Sequence, residues 1–115
     1  MPENRILAAI MFTDIVGYTV MMGKDSTKAL ELVRNSKEIQ KPLVEKHNGK
    51  WLKEMGDGAM AQFNTALDAV NCAVEIQEHV RVKFDGKLRI GIHSGDITIE
   101  ENDVYGDGVN VAARL

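Results

Sequence analysis

Apolar residues run unbroken from Ile6 to Phe12, between Arg5 and Thr13, and the run ends in Asp14-Ile15-Val16-Gly17. A short continuous run of this kind is the pattern of a strand covered on both faces, and it puts Asp14 at the carboxyl end. The spacing then changes. From Asp25 or Ser26, both good caps, apolar residues recur at Leu32, Ile39 and Leu43 with Leu30, Val33 and Val44 beside them, until Asn48-Gly49 supplies a stop. This predicts a long amphipathic helix, bent at Pro42. Trp51 to Met55 and Ala59 to Phe63 read as short strands separated by Gly56-Asp57-Gly58, whose glycines permit the positive φ of a tight hairpin. Asp57 then stands on the hairpin tip.

A second helix is expected from Thr65, which forms a capping-box pattern with Asp68, and its apolar stripe reads Ala66, Ala69, Val70, Ala73, Ile76, Val80. Its alanines suit close packing on a sheet. Leu88, Ile90 and Ile92 alternate with Arg89, Gly91 and His93, after which Ser94-Gly95-Asp96 reads as a turn into Ile97-Thr98-Ile99. Val109 to Leu115 has the look of the first turns of another helix. Strand, helix, hairpin, helix, hairpin is an α+β sandwich with helices on one face of a mainly antiparallel sheet, close to the ferredoxin-like βαββαβ plan. Residues 1–115 contain no linker or repeat and are read as one domain.

Composition narrows the function classes. The 115 residues are 44% hydrophobic and 27% charged, an ordinary globular mixture, and the net charge of −3 gives no electrostatic footprint for nucleic acid or an anionic membrane. The single cysteine, Cys72, cannot form an internal disulfide, which fits a reducing compartment, and no apolar run approaches the roughly 20 residues of a membrane helix. A soluble, cytoplasmic domain is therefore expected. So small a domain has little volume to spare for internal cavities, so a sizeable ligand site belongs at an edge or between subunits.

Two carboxylates stand where chemistry would need them. Asp14 follows the buried strand, Asp57 tips the hairpin, and they converge if those strands are neighbours. Paired Asp oxygens with open coordination positions suit Mg²⁺ or Mn²⁺, although an isolated Asp-Gly usually does no more than satisfy turn amides. Other candidates read as structural. His47, His79 and His93 have no metal-ligand spacing, Cys72 borders an alanine-rich helix face with no cationic cluster nearby, and Met21, Met22, Met55 and Met60 are gap-fillers.

Three stretches carry a family resemblance: Phe12-Thr13-Asp14-Ile15-Val16-Gly17-Tyr18-Thr19, Lys53-Glu54-Met55-Gly56-Asp57-Gly58, and Asp103-Val104-Tyr105-Gly106-Asp107-Gly108-Val109-Asn110-Val111-Ala112-Ala113-Arg114. In order and spacing they resemble signatures of the class III nucleotidyl cyclase catalytic domain. Arg89-Ile90-Gly91-Ile92-His93-Ser94-Gly95 resembles the intervening strand and turn, so the likeness covers almost the whole chain.

The resemblance implies that Asp14 and Asp57, with the backbone carbonyl of Ile15, hold two divalent metals, Mg²⁺ or Mn²⁺. It implies in-line attack of a ribose 3′-hydroxyl on the α-phosphorus of the same nucleotide, with Gly17 letting the backbone approach phosphate oxygens. Lys53 and Asp103 match the base-reading positions of adenylate-forming members, whereas guanylate-forming relatives typically carry Glu at the lysine position. A lysine donor facing adenine N1 and a carboxylate accepting from the N6 amino group would select ATP. Asn110 would orient the ribose and Arg114 stabilise charge on the α-phosphate. The resemblance also implies a head-to-tail homodimer whose site takes Asp14 and Asp57 from one chain and Lys53, Asp103, Asn110 and Arg114 from the other, with sensory or regulatory segments outside these residues. A guanylate cyclase and a nucleotide-binding dimer without turnover are the alternatives. Family members continue beyond the position of Leu115 into strands bearing a phosphate-contacting lysine, so the chain as written is expected to lack that part of the domain and to have little or no activity alone.

Overall fold

The structure, a computed structural model, describes residues 5–100 and 103–105. Its elements are β1 (Arg5–Ile15), α1 (Tyr18–Lys24), α2 (Ser26–Lys46), β2 (Lys50–Met55), β3 (Gly58–Phe63), α3 (Ala66–Lys83), β4 (Leu88–Glu100) and β5 (Asp103–Tyr105). The five strands form one antiparallel sheet in the order β2-β3-β1-β4-β5. The first four strands have the ferredoxin-like order expected from the sequence pattern, with β5 added at the edge.

The central place of β1 follows from its composition. Ala8, Ala9, Ile10 and Met11 are all buried, because β1 has a strand on either side and apolar clusters on both faces. Ala9, Met11 and Ile15 join Leu32, Leu43, Val44, Phe63, Cys72 and Ile76 beneath the helices. Alternation sends Ala8, Ile10 and Phe12 to the opposite face, where they cluster with Leu52, Met60 and Ile97. Burying large side chains on both faces, at about 1.5–3 kcal/mol each, is the main favourable term.

Local signals account for the element ends. Asp25 caps α2 by accepting from the Lys28 amide (3.1 Å), and Thr65 caps α3 by accepting from the Asp68 amide (3.0 Å). At the other end of α2, Asn48 takes a left-handed conformation (φ 61°), and the Gly49 amide donates back to the Val44 carbonyl (2.8 Å). The α3 stripe that faces the sheet is Ala69, Cys72, Ile76 and Val80, while Ala66 and Val70 are exposed. Burial pushes the Cys72 thiol up to about 12, so it is inert core. Met60 is buried and Met21 packs partly against the core, but Met55 is 39% exposed and fills no gap.

One expected turn is corrected. Ser94-Gly95-Asp96 is not a turn: β4 passes straight through it, with Ser94 opposite Ala9, Gly95 opposite Ala8 and Asp96 opposite Leu7. The eleven-residue β1 offers ladder partners along its whole length, and backbone pairing overrides the local turn chemistry. The second hairpin lies further on, joining β4 to β5 with Glu100 opposite Asp103. Helix α1 is the other addition to the expected plan. It is seven residues long and buries none of them fully, and Tyr18 and Met21, packed partly against the core, are too short a face to give a repeating stripe. The helix expected from Val109, with Asn110 and Arg114, lies outside the described residues. No helix among the described residues is long and apolar enough to cross a membrane.

Candidate active site

Asp14 is on β1 directly opposite Arg89 of β4, so the two side chains share the face turned away from the helices. The guanidinium grips the carboxylate with two bonds, Nε to Oδ1 at 3.0 Å and Nη2 to Oδ2 at 3.1 Å. This fork geometry is the strong form of an ion pair, and hydrogen bonding to Asp14 raises the Arg89 pKa above its usual value. Both side chains remain half-exposed, 56% for Arg89 and 40% for Asp14, so either can also reach a ligand from solvent.

Asp57 arrives from the neighbouring hairpin. Met55 pairs with Gly58, and Gly56 supplies the positive φ (55°) that the two-residue turn needs. Gly58 acts through contact instead, packing so tightly on the Thr13 carbonyl that a Cβ there would overlap the oxygen. That contact seats the hairpin on β1. The Asp57 carboxylate accepts from the Ile15 amide through Oδ2 (2.8 Å), and it adds a second negative charge beside Arg89. Asp14, Ile15, Gly17, Asp57 and Arg89 line one open cavity of about 270 Å³, with Tyr18, Thr19 and Val20 of α1 completing the wall. Gly17 is left-handed (φ 75°) and has open space where a side chain would stand.

The two aspartates expected to converge therefore do so. No group of three or more His, Cys, Asp or Glu that could hold a metal ion exists among the described residues, and Asp14 and Asp57 are the two carboxylates that line this cavity. Such a set suits Mg²⁺ or Mn²⁺, which fill their remaining positions with water and phosphate oxygens. The Arg89 fork on Asp14 supplies the positive charge that this donor set calls for. The residues present fit a divalent cation.

Lys53 and Glu54 lie on opposite faces of β2, and an irregularity in the strand decides which faces. Trp51 is opposite Ala61, but Lys53 is opposite Met60, so Leu52 is an extra residue in the ladder. Partners across an antiparallel pair share a face, which puts Lys53 with Met60 and Phe12 on the Asp14 side. Glu54 turns to the helices, where Lys37 (3.1 Å) and Lys41 (3.0 Å) of α2 pair with it and hold its pKa at about 2. Asp103 begins β5 at the far edge of the sheet, and Asn110 and Arg114 lie outside the described residues.

Sequence reasoning assigns Arg89 no role of its own. The signal is present, since the alternation of Leu88, Ile90 and Ile92 already sends Arg89 to the face opposite the core. What it lacks is the register that sets Arg89 against Asp14.

Residues 3–115 match the family model of the adenylate and guanylate cyclase catalytic domain. The chain belongs to that family. It is 42% identical over 121 residues to the Rhizobium meliloti (strain 1021) protein named "Putative adenylate cyclase 3", a match covering 97% of this chain and 20% of that protein. It is 32% identical over 119 residues to an adenylate cyclase of Streptomyces coelicolor, covering all of this chain and 30% of that protein. The chain thus spans under a third of the length of these relatives. Among solved structures, an adenylate/guanylate cyclase/hydrolase from Silicibacter pomeroyi superposes with a TM-score of 0.85 at 38% identity, over 99% of this chain and 71% of that one.

Proposed function

We propose that this domain converts ATP to 3′,5′-cyclic AMP and pyrophosphate, in a site shared across a homodimer. The observation that carries the reading is the pair Asp14 and Asp57 on one cavity beside the Ile15 peptide, with Arg89 clasping Asp14. In this reading Asp14, Asp57 and the Ile15 carbonyl hold two divalent cations. Cations held there would supply the charge that makes the ribose 3′-hydroxyl more acidic, its proton passing to water, and that neutralises the triphosphate and the departing pyrophosphate.

The 3′-oxygen forms its bond to the α-phosphorus as the bond to the β-phosphate's bridging oxygen breaks. This chain's residues position and neutralise rather than react. Arg89 offers phosphate oxygens the same two-pronged fork that it offers Asp14, and the bare Cα of Gly17 leaves room for a phosphate to approach the backbone. Lys53 and Asp103 read N1 and N6 of adenine, and Asn110 and Arg114 orient the ribose and stabilise charge on the α-phosphate from the partner chain. The Leu52 irregularity supports the base-reading role, because it turns Lys53 rather than Glu54 toward the Asp14 side of the sheet.

The test is complementation in the full-length protein. Asp57→Ala and Arg114→Ala variants should each be inactive with ATP and Mn²⁺, and an equimolar mixture should recover activity, since one of its two sites receives neither substitution. A mixture that recovers nothing overturns the shared site, and faster turnover of GTP than ATP overturns the choice of base.

A further inference from the structure

The two carboxylates reach the cavity from β1 and from the β2–β3 turn, yet one short stretch of α2 touches the residue next to each. Beside Asp14, the Thr13 hydroxyl donates to Gln40 Oε1 (2.9 Å), and Gln40 Nε2 donates to Ser36 Oγ (2.7 Å). Ser36 and Gln40 are each 1% exposed, on the inner face of α2 between Leu32 and Leu43. Beside Asp57, Lys37 Nζ lies 3.1 Å from Glu54 Oε1 and 3.5 Å from the Gly56 carbonyl. The strand and the turn then meet where the Ile15 amide donates to Asp57.

Neither set of contacts acts through stability alone. Buried hydroxyl and amide groups exchange bonds to water for bonds to each other, with a small net gain, but the bonds form in only one arrangement. Every buried side-chain polar atom among the described residues has a partner, so this chain of hydrogen bonds is complete and its geometry is fixed. Lys37 differs from its neighbour Lys41 in the same way. Both pair with Glu54, but Lys41 is 53% exposed, whereas Lys37 is 18% exposed and also reaches the backbone of the turn.

We propose that the Ser36 to Gln40 turn of α2 is a common anchor that sets the spacing of Asp14 and Asp57, with Gln40 and Lys37 as positioning residues. The functional meaning of that spacing rests on the reading of the two aspartates as metal ligands. A displacement of α2 along its axis would be delivered to β1 and to the turn together, so any partner or appended segment that moved α2 would change the carboxylate pair.

The test reads the Ile15 amide by ¹⁵N–¹H NMR and hydrogen exchange, and separately measures Mn²⁺ affinity. Lys37→Met, and the paired replacement Thr13→Val with Gln40→Leu, should shift the Ile15 amide resonance, speed its exchange and weaken Mn²⁺ binding by about 10- to 100-fold, the usual effect of disturbing groups behind a metal ligand. Lys37→Arg should restore both readouts. Lys41→Met removes a charge from the same glutamate without touching the turn, and should leave the Ile15 amide in place. An unchanged amide in Lys37→Met, or an equal change in Lys41→Met, overturns the anchor. If the paired core variant does not fold, the Lys37 and Lys41 comparison decides alone. Should the unsubstituted protein fail to bind Mn²⁺, the metal reading falls while the amide still reports on the anchor.

Discussion

Replacing Gly58 by alanine adds one methyl group at the most crowded point of the site. The new Cβ would overlap the Thr13 carbonyl oxygen, and the Met55 carbonyl would stand 3.5 Å away on the other side. Both neighbours are backbone. Thr13 is in the central strand, paired with Ala59 on one side and Ile90 on the other, so relief must come from lifting the β2–β3 hairpin off β1. Overpacking of this kind costs about 1–3 kcal/mol. At this chain length each kcal/mol lowers the melting temperature by roughly 4 °C, so a fall of roughly 4–12 °C is expected. The functional loss should be larger than the stability loss, because lifting the hairpin draws Asp57 away from Ile15. Gly56→Ala is the useful contrast. Gly56 has open space around it but a φ of 55°, so its cost is conformational, about 1–2 kcal/mol, and stays within the turn. Thermal unfolding followed by circular dichroism, with Mn²⁺ affinity measured on the folded variants, compares the two. A Gly58→Ala protein that melts with the unsubstituted one and binds Mn²⁺ equally well would refute the close-packing account.

Other substitutions probe the charges. Removing Arg89 as Arg89→Met frees Asp14 of its competitor, so metal affinity measured without nucleotide should rise while turnover falls; unchanged affinity would mean that the observed fork does not compete. Glu54 titrates at about 2 rather than 4.5 because Lys41, and after it Lys37, hydrogen-bond its charged form. Its folded pKa is depressed, so its stabilisation is full above pH 4.5 and disappears as the pH falls through about 2. Denaturation curves of the parent and Glu54→Gln should therefore differ near neutrality and converge toward pH 2, and a gap independent of pH would refute the assignment. Converting Lys53 to Glu and Asp103 to Ser should weaken selection for ATP, each lost partner costing about 1–3 kcal/mol; undiminished ATP turnover in both variants would remove these residues from base recognition.

Periodicity exposes what depends on burial. The apolar run of β1, the caps at Asp25 and Thr65, the stop at Asn48-Gly49 and the hairpin around Asp57 are all legible, since each is a local pattern with a local cause. The convergence of Asp14 and Asp57 is legible only as a condition, because it needs β3 to lie beside β1. What escapes is set by partners distant in the chain. Gly95 is spanned by a strand because β1 is long enough to pair through it. Arg89 gains its importance from register, and Ser36 and Gln40, polar residues on an apolar helix face, take their meaning from Thr13 on β1. Helix α1 has no stripe to reveal it.

The extra residue at Leu52 gives β2 two phases. Counted from α2, odd positions point to the helices; counted back from the turn at Gly56, even positions do. Leu52 absorbs the mismatch, and its side chain is buried on the far face. A change in length between α2 and Leu52 can therefore be taken up at the bulge without rotating anything beyond it. Between Glu54 and Gly56 there is no such slack: one inserted residue would exchange the faces of Lys53 and Glu54, bringing an anion to the Asp14 side and a further cation toward the lysines of α2. For this strand, the effect of an insertion or deletion depends on whether it falls at the bulge or between Glu54 and the turn.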